Sequence, residues 1–499
     1  MDRSCLADYR QGKNGRRPGG IHPQRPGKLG HHGIGSCHHD LGHILLNPAT
    51  VTIPATMQKN AASLASWGNY FHYAHKCHSP EWRYQALPAQ ASLLPYGMGR
   101  SYGDSCLNEN GTLIHTSALQ NLIAFNRETG LLRCEGGVSL ASLIDLTLPH
   151  GWFLPVTPGT KFVTIGGAIA NDVHGKNHHR DGSFGCHVRC FELLRSSGER
   201  LLCSATENPA LFSATIGGLG LTGLISWAEI QLIPVNNAFL EDESFTCDHL
   251  DDMLELFRAS RESHQYTVAW IDCLASGSSI GRGIFSRANH CRSKHLPQSA
   301  NIRPKKSVPF FLPNGCLNRH TVKAFNAVYY RKLMARQKNS RIDYDRFFYP
   351  LDSLHHWNRI YGRRGFLQYQ CVLVKDARDA LFALLKKISH SGQASFLSVL
   401  KELGGTTSPG MLSFPRKGMT LALDFPNRGR ETLALLSSLD EIVRESQGAI
   451  YPAKDARMSA EMFANSFPQL ETFRPHIDPA FSSSFWRRVS NNKPEGQAT

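Results

Sequence analysis

No apolar run in this chain reaches the roughly 18 residues that a membrane-spanning helix needs. There is no CxxC pair, and the 13 cysteines are an odd number scattered from Cys5 to Cys371. That argues against a disulfide framework and favours a reducing compartment, with the cytosol as the default. No GxGxxG follows a first strand, and no GxxxxGK followed by Ser or Thr occurs, which weakens the Rossmann and Walker readings. The formal charge is +15, but no aromatic-interleaved basic stripe or nucleic-acid motif accompanies it. The excess cations, around Arg16, Arg303 and Arg331–Arg346, therefore read as a solvated or phosphate-facing surface, with no nucleic-acid partner.

What is present is a soluble globular composition, 41% hydrophobic and 19% charged. At 499 residues the chain is long enough for two or three units and for burial of a large cofactor. Residues 1–56 are rich in Gly, Pro, His and Arg without periodicity and read as a disordered extension lacking the apolar core of a signal peptide. Cys37, His38, His39, Asp40 and His43 are metal-ligand types, but a closed zinc site needs four ligands on a defined scaffold, and no metal is assigned.

From residue 57 to 237 short β-branched runs alternate with small helices. Residues 112–119, 131–137 and 225–235 read as strands, and 139–151 as a helix stopped by Gly151. Residues 238–446 form a second unit, with helices over 249–260 and 376–392 and strands in TVAWIDCLA and FLQYQCVLV. The weakly periodic, basic stretch from Leu296 to Asp345 is expected to be a mobile loop near an entrance. Residues 447–499 have no strand partner nearby and are expected to fold back onto the first unit. The fold class is α+β, with a mixed or antiparallel sheet in the second unit.

Three glycine loops stand in the first unit: LPYGMGRSYGD at 94–104, TPGTKFVTIGGAIANDVHGKNHH at 157–179 and TIGGLGLTGLI at 215–225. Glycine lets backbone N–H groups approach a diphosphate closely, whereas each loop alone reads equally as a tight turn.

These motifs, with GSFGCHV, FLQYQ, SFP, DFP and YPAKDAR, resemble the vanillyl-alcohol-oxidase-type (PCMH-type) flavoprotein superfamily, and within it the decaprenylphosphoryl-β-D-ribose 2-oxidase family. The resemblance covers most of 66–488. It implies an FAD domain built from the N-terminal half and the C-terminal tail, enclosing a substrate domain. FAD contacts carried across fall on Pro95, Tyr96, Gly97, Met98, Gly99, Arg100, Ser101, Tyr102, Gly103, Asp104 and Ser105 in the first loop. In the second they fall on Gly159, Thr164, Ile165, Gly166, Gly167, Asn171, Asp172, Val173 and His174, and beyond it on Ile225 and Tyr451. Many relatives carry a histidine in the first loop that bonds the flavin; Tyr102 in RSYGD implies noncovalent FAD. Lys454 matches the family's catalytic lysine, with a surface lysine as the alternative. Tyr102, His174, Lys176, Gln370 and Lys401 match pocket positions that could place ribose hydroxyls and phosphate. His174 reads equally as a packing residue, Lys176 and Lys401 as solvated lysines, and Trp270 as a pocket wall or a core residue.

The chain departs from the family where Thr420 and Ala422 replace a common asparagine and cysteine, and where Phe347, Phe348, Tyr349 and Pro350 shift a phenol by one place. Both touch substrate recognition. The implied activity is oxidation of a polyprenylphosphoryl-β-D-ribose at C2, the first half of an epimerisation to arabinose for cell-wall synthesis. A NAD-dependent short-chain reductase would take the keto sugar, and the chain would contact the inner face of the plasma membrane peripherally. The alternatives are a sugar, alditol or aldonolactone oxidase on the same fold, or a flavin- or polyanion-binding protein without turnover.

Overall fold

The computed structural model describes residues 64–297, 306–334 and 339–490. The extension at 1–56 and its Cys37–His43 cluster lie outside the described residues. Three sheets position the site. β1 (Lys76–His78), β2 (Leu93–Tyr96) and β3 (Thr112–His115) form a short parallel sheet in the order β1-β3-β2. The strand expected over 112–119 stops at His115, because Thr116–Ala118 close into a 3₁₀ turn.

β4 (Leu122–Asn126), β5 (Leu131–Glu135), β6 (Val188–Leu194), β7 (Arg200–Ser204) and β8 (Leu224–Gln231) form an antiparallel sheet in the order β4-β5-β8-β6-β7. Against it pack α1 (Leu140–Thr147), capped by the Ser139 hydroxyl, and the short α2 (Ile165–Ala170), capped by Thr164. Gly151 ends the α1 segment at φ +79°, a conformation that costs glycine little.

The third sheet is antiparallel and eight-stranded among the described residues. Its strands are β9 (Phe239–Cys247), β10 (Tyr266–Ile271), β11 (Gly283–His290), β12 (Asn339–Asp343), β13 (Phe366–Leu373), β14 (Ser398–Leu403), β15 (Gly418–Pro426) and β16 (Ala449–Ile450), ordered β12-β9-β11-β10-β14-β15-β13-β16. Four helices accompany it: α3 (Leu250–Ser260), α4 (Arg319–Met334), α5 (Ala377–Ser391) and α6 (Arg430–Glu445). Period-two alternation divides its strands between two faces. Leu367, Tyr369, Cys371 and Leu373 of β13, with Leu421, Leu423 and Phe425 of β15, pack beneath α5 and α6. Those helices answer with Leu381, Leu384, Leu385 and Ile388, and with Leu435, Leu436, Leu439 and Val443, all at helical spacing. Each such side chain stabilises the fold by roughly 1.5–3 kcal/mol of burial. Core formation on that face leaves the intervening residues facing the other way.

The loop expected at 296–345 is corrected: α4 occupies Arg319–Met334 and β12 follows it. The helix is anchored on one side by Val322, by Asn326 donating to Asp272 Oδ1 (2.7 Å), and by Tyr330 donating to Asp248 Oδ1 (2.7 Å). After β16 the chain runs back to the first sheet. Leu93 N–H donates to Ala480 O (2.6 Å), and Ser482 N–H donates to Leu93 O (2.9 Å).

Candidate active site

The outward face of the large sheet floors a cavity of about 300 Å³. Register decides what lies there: Gln368 and Gln370 on β13 stand opposite Asp424 and Ala422 on β15, and Ala422 stands opposite Val399 on β14. Lys401, two residues beyond Val399, completes that row in the cavity wall. The opposite wall is made by the glycine loops, with Gly97, Arg100, Tyr102, Ser105, Thr164, Gly166 and Gly167 lining it. Gly97 is required where it stands, because a Cβ would lie 2.5 Å from Thr164 Oγ1.

The turn after β16 carries Lys454 into this space. Tyr102 N–H donates to Ala453 O (2.9 Å), and the Lys454 Nζ lies 3.9 Å from the Tyr102 ring centroid. Burial pushes the Lys454 amine below its ordinary range and the Asp424 carboxyl above its own, and attraction between the two opposes both shifts. Burial also lowers Lys401 to about 8. His174 is held well below its usual range by burial first and then by neighbouring Lys401, His178 and Lys454, which favours the neutral ring.

The His174 tautomer follows from its neighbours. Thr420 donates its hydroxyl to Cys371 O (2.8 Å), leaving its oxygen to accept from the Gln370 amide (3.3 Å). The Gln370 NH₂ group therefore faces His174 Nε2 (2.9 Å) as donor, which places the ring proton on Nδ1. That Nδ1 is buried and has no partner within the protein.

Residues 85–204 match the family model described as an FAD binding domain. The decaprenylphosphoryl-beta-D-ribose oxidase of Mycolicibacterium smegmatis is 38% identical over 412 residues, 80% of this chain and 89% of that protein. A Streptomyces coelicolor protein named "Uncharacterized protein in mprA 5'region" is 34% identical over 371 residues, 70% of this chain and all of its own length. The rat Delta(24)-sterol reductase is 30% identical over 116 residues, 23% of this chain and 22% of that protein. The chain belongs to the decaprenylphosphoryl-β-D-ribose oxidase family.

As a member of that family it is an FAD-dependent oxidoreductase of the vanillyl-alcohol-oxidase superfamily. The residues fit the cofactor. Arg100 Nε, Ser105 Oγ and His174 Nδ1 are buried polar atoms on residues of the cavity wall, each without a partner in the protein. Gly159 has open space where a Cβ would stand, so its backbone is free to meet a ligand.

Of the residues singled out in the sequence, the cavity is lined by Pro95, Gly97, Met98, Gly99, Arg100, Ser101, Tyr102 and Ser105 of the first loop. Gly159, Thr164, Gly166, Gly167, Asn171, Val173 and His174 join them from the second, with Ile225, Gln370, Lys401, Ala422, Tyr451 and Lys454. Others stand behind the wall. Tyr96 donates to Ala65 O (2.7 Å), Gly103 packs on the Asp455 backbone, and Asp104 pairs with Arg488 (2.7 Å). Ile165 is in the core, while Asp172 accepts from Gly185 N–H (2.8 Å), Ser408 and Ser413, tying three segments together. Lys176 donates to Phe347 O and lies over the Phe347 ring; burial and Lys401 lower it to about 7 against the pull of Asp242. Trp270 shares the outward face but lies one strand farther out, donating to Phe396 O (3.0 Å), and Thr420 acts through Gln370. Sequence reasoning missed Asp424 and Gln368, which donates to it; the signal was the two-residue spacing Thr420, Ala422, Asp424 along one strand.

Proposed function

We propose that this chain oxidises the C2 hydroxyl of a polyprenylphosphoryl-β-D-ribose to the 2-keto sugar, a product suited to a NAD-dependent short-chain reductase. The observation that carries the reading is the meeting of Lys454, Lys401 and the His174–Gln370 pair in one cavity. The likeness to the Mycolicibacterium oxidase supports the substrate class. FAD, held by the glycine loops, would supply the hydride acceptor for the carbinol carbon. Lys454, held between its charged and neutral forms by burial and Asp424, orients the hydroxyl and receives its proton. Lys401 attracts the phosphate, and His174 Nδ1–H donates to an acceptor on the cofactor or sugar. Tyr102 stands where a linking histidine would be needed, so FAD is held noncovalently, on residues 57–237 and 447–499, while 238–446 serve the substrate. No described helix is long and apolar enough to cross a membrane.

The test is acid precipitation followed by anaerobic reduction. The yellow chromophore is expected in the supernatant, and prenylphosphoryl ribose is expected to bleach it where free sugars and lactones do not. Lys454→Ala should slow bleaching by about 10²–10⁴-fold, the usual range for a lost proton-handling group. Bleaching of Lys454→Ala at the wild-type rate would sink the assignment.

A further inference from the structure

Outside the cavity, α4 presents an apolar face that its anchoring contacts do not use. Phe325 is 46% exposed and Val328 67%. Phe325 stacks on Tyr329 with centroids 5.7 Å apart, Tyr329 meets Trp270 edge-on at 4.9 Å, and Phe325 meets Phe396 edge-on at 5.7 Å. Beside this face lies a second, smaller cavity lined by Leu317, Thr321, Val322, Phe325, Ile360 and Phe396. Its wall is almost wholly apolar.

The groove backs onto the active site across one buried aromatic cluster. Tyr102, Trp357, Tyr361 and Phe366 form that cluster, with Leu317, Ile360, Phe396 and Leu397 packed against it. Trp357 and Leu397 line the active-site cavity, whereas Ile360 and Phe396 line the groove. Phe396 lies over Tyr361 (5.9 Å, 21° between planes). From Lys401 on β14 back to Phe396, two residues before the strand begins, is five residues, roughly 16 Å if extended. The α4 sequence also contains Arg319, Lys323, Arg331 and Lys332 and no acid, so its field favours an anionic amphiphile.

We propose that this groove holds the isoprenoid chain of the substrate, with its phosphate toward Lys401. This rests on the polyprenyl-phosphate reading above and adds to it a site for the tail. Because cavity and groove back onto the same cluster, one amphiphile leaving the cavity can reach both, whereas a flat membrane-contact patch would need no such proximity. Against that span of roughly 16 Å, a two-unit chain is expected to fall short of the groove and a four-unit chain to reach it.

The test measures binding of geranyl phosphate and geranylgeranyl phosphate to the flavin-loaded protein by calorimetry. The longer probe is expected to bind wild type at least about tenfold more tightly, given the apolar area it would bury. Phe325→Asp, at an exposed position, and Thr321→Trp, which fills the groove, should each reduce that ratio to about two or less while leaving geranyl phosphate affinity unchanged. Val374→Asp, exposed elsewhere, should keep the full ratio. Equal affinities in wild type, or a ratio preserved in both groove variants, would overturn the proposal. So would loss of binding to phosphatidylglycerol vesicles in Phe325→Asp with the ratio intact, which assigns the face to a membrane surface. Because these probes carry no ribose, failure of the bleaching assay with an intact chain-length effect removes the activity reading alone. The reverse pattern removes the groove alone.

Discussion

At the scale of single residues, the site is a concentration of cations in a place that gives them little compensation. Lys401 shows the consequence with a definite sign. Its amine titrates at about 8 in the folded protein against 10.5 ordinarily. Between those values the unfolded chain binds a proton that the native state lacks, so this group makes stability rise with pH across that window. Below 8 the burial cost is present in full, on the order of 3 kcal/mol by the conversion of pKa shift to energy. Lys401→Met should therefore melt at a higher temperature than wild type at neutral pH, with the gain fading as pH approaches 10.5. The same lysine should serve binding while it is charged: wild-type KM for a prenylphosphoryl ribose rises as pH passes about 8, and the KM of Lys401→Met is raised and flat. A methionine variant that melts below wild type at pH 7 would show that the charge is compensated in the free enzyme. The residue scale also marks a limit of sequence reasoning. Asp424 stands in an apolar run, LALDFP, where alternation reveals its face but not the lysine brought beside it from the turn at 451–455.

At the scale of elements, the site depends on two backbone segments docked without side chains between them. The first glycine loop meets the turn after β16 at Gly103, where a Cβ would lie 1.8 Å from Asp455 O. Gly103→Ala should force the turn away at a cost of about 1–3 kcal/mol. Lys454 sits in that turn, so a displacement of an ångström should lower kcat by about 10–100-fold. Gly405→Ala, whose Cβ would meet nothing, should melt and turn over as wild type. Melting temperature, flavin-to-protein ratio and kcat for the two variants check this, and loss in both or in neither would contradict it. The glycine loops were legible because close backbone approach leaves a mark in composition. α4 was not, because Phe325, Val328 and Tyr329 on its outer side blur the polar-apolar period that would have marked a helix. Trp270 failed differently: parity gives a strand residue's face, whereas the covering element depends on strand order in the sheet.

At the scale of the whole molecule, residues nearly 400 positions apart in the chain meet at one guanidinium. Arg488 reaches Asp104 of the first loop (2.7 and 3.0 Å) and Asp455 beside Lys454 (3.0 Å), while its remaining nitrogen donates to Met458 O. Asp104 and Asp455 are almost fully buried. Such a triad adds little over an apolar replacement of all three members, but removing the cation alone strands two carboxylates in a dry interior. Arg488→Met should therefore destabilise by about 3–5 kcal/mol. Because loop and turn both hang from this residue, it should also release flavin on gel filtration. Arg488→Lys keeps the charge but not the planar fork, so it should restore part of the stability and less of the flavin retention. If Arg488→Met melts with wild type and keeps its flavin, the C-terminal segment closes the site by apolar packing of Phe485 and Trp486 alone, and the ion triad is incidental to it.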